Sequence, residues 1–120
     1  MDRMYPTGGD YVHALEVPAP ARWLFVAGTM GLDAAGRPGA TLAEQLELVW
    51  ANLRAILAEH AMTVDHVVRV TSYLREASYM DENAAARVAA LGGRLVPTTA
   101  IVAETLFEDW LVEVEVVAVA

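Results

Sequence analysis

The chain of 120 residues has no cysteine and no lysine. Without cysteine there can be no disulfide, no thiolate metal site and no cysteine nucleophile. Thiol-free composition also fits a cytoplasmic location. Without lysine there is no Walker-type phosphate loop. The eight basic residues are therefore all arginine, set against sixteen acidic residues, and the net charge is −8. No two arginines are adjacent. Nucleic-acid binding leaves a basic patch or stripe, and anionic membranes select the same feature, so both partners are disfavoured. No apolar run approaches the length of a membrane-spanning helix, and the opening MDRMYPTGGD lacks the apolar core of a signal peptide.

Apolar residues are abundant instead. They make up 56% of the chain, against roughly 45–50% in soluble domains. A chain of this length folds as one domain, residues 1–120, around a modest core. The surplus therefore points to surface buried against copies of the same chain.

Residues 1–8 form a turn-rich lead-in. DYVHALEV (10–17) has rough alternation and predicts a strand, ended by PAPAR. WLFVAG (23–28) is continuously apolar, the pattern of a strand buried on both faces. GLDAAGRPGA (31–40) is a loop by its Gly, Pro and Asp content. Thr41 and Glu44 have capping-box spacing. Leu42, Leu46, Val49, Leu53 and Ile56 then recur at helical intervals, with Trp50 and Leu57 widening the stripe. HVVRVTSYLRE (66–76) alternates: Val68, Val70, Ser72 and Leu74 share one face, and Val67, Arg69, Thr71 and Tyr73 the other. A second helix is predicted from about Ser78, as N-cap, to Leu91, where LGG stops it. A buried strand near 98–104, a turn around TLFEDW and a final strand LVEVEVVAVA complete the order β-β-α-β-α-β-β. The fold class is α/β, one mixed sheet with two helices on one face.

Few residues offer chemistry. Glu113 and Glu115 share one face of an otherwise apolar strand, suited either to proton transfer near neutrality or simply to facing solvent. His13, His60 and His66 have no helical ligand spacing and no HExxH pattern, so no metal site is expected. His13 and Tyr11, two apart on the first strand, either line a pocket or pack. No GxSxG and no GxGxxG occur. Thr98 and Thr99 stand together after Pro97.

These segments, taken in order, resemble the Rid family, the YjgF-type reactive-intermediate deaminases. DYVHALEV is similar to the family's opening strand and LFVAGTMGLDAAG to its Gly-Gln segment. EQLELVWANLRAILAEHAMTVDHVVRVTSYL resembles the Gln-helix followed by the Val-x-x-Thr-x-Tyr-Leu strand. YMDENAAA is similar to Phe-x-x-x-Asn, with Asn83 at the Asn, and VEVEVVAVA to the closing strand. The resemblance implies a chorismate-mutase-like fold, a homotrimer, and small-molecule clefts between subunits, with no cofactor. It implies hydrolytic deamination of enamines or imines. Glu113 would handle water or a proton, with Tyr11, Gly28, Thr29 and Asn83 binding substrate. The family's carboxylate-gripping arginine has no counterpart. Counted back from Glu113 its place holds Thr98; counted from Pro97 it holds Thr99. Arg94 sits on the preceding loop. The expectation is a small-molecule enzyme of altered specificity, serving a neutral or differently charged ligand. The alternatives are a non-catalytic ligand-binding or regulatory trimer and, against the acidic composition, an endoribonuclease.

Overall fold

The computed structural model describes residues 4–120; the first three residues of the predicted lead-in lie outside them. Strand β1 (Trp23–Met30) is followed by helix α1 (Leu42–Glu59), strand β2 (Val67–Leu74), helix α2 (Met80–Ala90), strand β3 (Thr98–Val102) and strand β4 (Val112–Val119). Short 3-10 turns precede β2 and α2. The sheet runs β1-β4-β2-β3. β4 is antiparallel to both neighbours, and β3 lies parallel to β2 across the α2 crossover.

α1 begins as its sequence predicts. The Thr41 hydroxyl accepts from the Glu44 N–H at 3.2 Å, while the Glu44 carboxylate reaches back to the Ala40 N–H at 2.8 Å. Its buried face is Leu46, Val49, Trp50, Leu53 and Leu57. Leu42 and Ile56, predicted on the same stripe, are half-buried at its margin. That face meets Val112, Val114, Val116 and Ala118 of β4 and Val70 and Leu74 of β2 in one core. Alternation therefore works as predicted in β4. In β2 it holds from Val70 onward, but Val67 is buried and Val68 only half-buried. A register shift between Val67 and Arg69 inserts a residue there and reverses the faces.

The N-cap of α2 falls one residue later than predicted. Ser78 lies in the 3-10 turn Ala77–Tyr79, its hydroxyl bonded to Glu76, and Tyr79 occupies the N-cap without a side-chain cap. The end is as predicted: Gly92, at φ +65, takes the left-handed backbone that a side chain resists.

Three strand predictions change. Residues 10–17 form no strand; they make one bridge, Val12 to Pro97. Pro97 has no N–H to continue a ladder, and the segment is tied to α2 instead, through Asp10 and Arg87. β1 is covered on one face only, because both helices pack on the same side of the sheet. Trp23 and Phe25 stack at 6.3 Å on the uncovered side and are 56% and 74% exposed. β3 is an exposed edge strand rather than a buried one, and ends at Val102.

Candidate functional site

The register assigns each candidate residue to a side of the sheet. Partners across a ladder point the same way. Val114 and Val116 point to the helices, so Glu113 and Glu115 point to the open side, with Thr71 and Tyr73 opposite them on β2. Thr99 pairs with Thr71 and shares that side; Thr98 pairs with Val70 and faces the helices. The two adjacent hydroxyls thus point to opposite faces of the sheet.

On the open side, Glu113 is half-buried against Gly28 of β1. A Cβ at Gly28 would collide with the Glu113 carboxylate, so glycine is what lets the acid lie over the neighbouring strand. A register shift between Val26 and Thr29 brings Gly28 there. The Tyr73 hydroxyl donates to Glu115 Oε1 at 2.6 Å. That bond, helped by desolvation and by the charges of Glu115 and Glu113, pushes the Tyr73 hydroxyl above its usual range. Tyr73, Glu104, Thr105, Glu113 and Glu115 line a hollow of ≈ 220 Å³. Beside it, the Thr99 hydroxyl accepts from Arg69 Nη2 at 3.2 Å.

The wall of this hollow is fixed by polar clamps on the loop between β3 and β4. Arg75 Nε donates to the Thr105 hydroxyl at 2.9 Å, which itself bonds the Phe107 and Trp110 carbonyls. The buried Gln45 amide donates to the Gly39 and Asp109 carbonyls and accepts from the Leu111 N–H. α1 thereby sets where β4 begins.

On the helix side of β3 lies a cleft of ≈ 690 Å³ whose lining includes Tyr11, Asn83, Arg87, Thr98 and, on the edge strand itself, Thr99. Tyr11 and His13 do share a neighbourhood, as their spacing suggests, but only Tyr11 lines the cleft; His13 packs edge-on against Tyr5 and Tyr11. The Thr98 hydroxyl donates to the Val96 carbonyl. Thr29 joins neither group: it is buried opposite Val114, with its hydroxyl on the Ala27 carbonyl. Among the described residues no cluster of three metal-ligating side chains occurs, and no helix is long and apolar enough to cross a membrane.

Sequence reasoning missed Arg69 and Tyr73 as neighbours of the candidate acids, although the β2 alternation had already set them on one face. Asp10 and Arg87 it could not join, because the contact spans 77 positions.

A half-open mixed sheet backed by two helices, with a carboxylate resting on a glycine of the adjacent strand, defines the class. Residues 2–120 match the family described as Endoribonuclease L-PSP, and the chain belongs to that family, the Rid/YjgF proteins. The Rid-family protein YyfB from Yersinia pestis superposes with a TM-score of 0.88 at 27% identity, over 100% of this chain and 95% of that one. NMB1025 from Neisseria meningitidis, a YjgF-family member, gives 0.72 at 28% identity, over 81% and 78%. RidA from an Antarctic Psychrobacter shares the fold, with 0.78 at 21% identity over 100% and 96%. No curated protein matches the chain.

Proposed function

We propose that this chain is a Rid-type small-molecule enzyme of altered specificity, acting by hydrolytic deamination of an enamine or imine, or by a related proton transfer. The site is completed between subunits of a homotrimer. Glu113 is its acid/base; Gly28 and Thr99 share its surface, and Tyr11, Asn83 and Thr98 hold the body of the substrate. The observation that carries this reading is the seating of Glu113: a half-buried carboxylate held over Gly28, opposite Tyr73 and next to a Tyr73–Glu115 hydrogen bond. A general base needs this kind of partly desolvated, positioned carboxylate.

Thr99, rather than Thr98, shares the Glu113 side of the sheet, which supports Thr99 as the position of the absent arginine. A threonine offers one neutral hydrogen bond where an arginine offers a charged fork. Losing such a bond costs about 1.5–3 kcal/mol, roughly ten- to a hundredfold in affinity. That loss also favours a second reading, a ligand-binding trimer without turnover.

The test is ammonia release from imines generated fresh from several amino acids and from their carboxamides. Turnover that Glu113→Gln abolishes without altering the assembly supports the enzyme. No acceleration with any imine removes deamination and leaves the binding reading. Thr99→Arg is expected to raise turnover of the carboxylate-bearing imines, and Thr98→Arg, facing the other way, is not.

A further inference from the structure

Two deeply buried polar side chains sit four residues apart on the face of α2 that lines the cleft behind β3. Asn83 is 2% exposed and Arg87 4% exposed. Residues at this spacing are neighbours on a helix surface. Arg87 is held end-on: Nη1 donates to the Asp10 carbonyl, and Nη2 to the Asp10 carboxylate at 2.7 Å. Its Nε–H has no hydrogen-bond partner among the described residues, and neither has the Asn83 Oδ1. A buried donor or acceptor without a partner is costly, and two in one place need an explanation. One is a donor and the other an acceptor.

Charge narrows the ligand further. The Arg87 guanidinium is already neutralised by Asp10, and Asp81 lines the same cleft. A carboxylate ligand would meet that excess negative charge and would set an acceptor against Asn83 Oδ1. An amine would set a donor against Arg87 Nε–H. The group that fits both is neutral, with a carbonyl beside an N–H. Met80, Ala84 and Ala100 supply apolar lining for whatever carries it.

We infer that this cleft binds a carboxamide on a small apolar body, the amide carbonyl accepting from Arg87 Nε–H and the amide N–H donating to Asn83 Oδ1. Asp10 is the positioning residue that holds the guanidinium end-on and leaves Nε for the ligand. The inference shares with the proposed function only the assignment of Tyr11, Asn83 and Thr98 to a ligand cleft. If both hold, the substrate class is an imine or enamine whose carboxylate is replaced by a carboxamide, which suits a family member without the usual arginine.

The test is binding, so it is separate from turnover at Glu113. Benzamide, benzoate and benzylamine are titrated into the protein, following backbone amide resonances of Tyr11, Asn83 and Thr98. Saturable shifts with benzamide, at least about tenfold tighter than with the other two, are expected. Arg87→Lys keeps a cation for Asp10 but has no Nε donor, and Asn83→Leu keeps the volume without the acceptor. Each should weaken benzamide about tenfold while a thermal melt reports an intact fold. None of the three probes carries an imine, so their binding is read without any turnover and the two readings fail separately. Equal or tighter binding of benzoate overturns the inference, as does benzamide binding that is absent or insensitive to both substitutions in folded protein. If either variant unfolds, the wild-type ranking of the three probes decides alone.

Discussion

At the scale of single residues, Gly28 and Glu113 act as a unit. Gly28→Ala must push the carboxylate off the β1 backbone. Misplacing a catalytic group by an ångström costs on the order of a hundredfold in rate. Steady-state kinetics of Gly28→Ala should therefore fall nearly as far as those of Glu113→Gln, although the acid is still present. Tyr73 gives a spectroscopic handle on the same surface. Its hydroxyl donates to Glu115, so the neutral form is favoured and its folded pKa is raised. The stabilisation is then complete below the unfolded value of about 10 and is lost as pH rises through the higher folded value. In a tyrosinate absorbance titration, Glu115→Gln should move the Tyr73 transition to lower pH, and Tyr73→Phe should delete it. Much of this was legible in the sequence: the alternation of β4 puts both glutamates on one face of that strand, and that of β2 puts Tyr73 and Thr71 together on one face of theirs. The choice between Thr98 and Thr99 was not, because it depends on which β2 residue each one pairs with.

At the scale of elements, α1 was readable because its stripe and its cap agree, and the core residues it presents are the predicted ones. Leu53 is fully buried; Leu53→Ala should cost about 2–5 kcal/mol in denaturant unfolding. Gln45 broke the apolar pattern and carried no sequence signal of its role, since its partners at Asp109 and Leu111 are 64 and 66 positions away. Gln45→Leu would preserve burial but strip partners from two carbonyls and an N–H. A loss of at least about 2 kcal/mol is expected in thermal unfolding. The segment 10–17 misled for a related reason. Alternation shows that a segment can be a strand, but a ladder also needs a neighbour with free N–H groups. Pro97 supplies none, and Asp10 is drawn to Arg87.

At the scale of the whole molecule, composition implied more apolar surface than one chain can bury, and the open side of the sheet is where it lies. Trp23, Phe25 and Ile101 are 56%, 74% and 48% exposed. The continuous apolar run of β1 predicts burial on both faces; it marks apolar character on both faces, and a second layer from the same chain covers only one. If the proposed trimer covers the other, Phe25→Glu should shift sedimentation equilibrium toward monomer at micromolar concentration, whereas Leu53→Ala, behind the sheet, should change melting without changing the oligomer. The strand order has a further consequence, for synthesis. β4 is the last strand of this sheet to be made, yet among the described residues it is the sole ladder partner of β1 and lies between β1 and β2. Until residues 112–119 have left the ribosome, the aromatic β1 has no ladder partner, and α1 has only the β2–β3 pair to cover. This domain cannot mature progressively from its N-terminus: Trp23 and Phe25 stay accessible to chaperones until β4 inserts between β1 and β2.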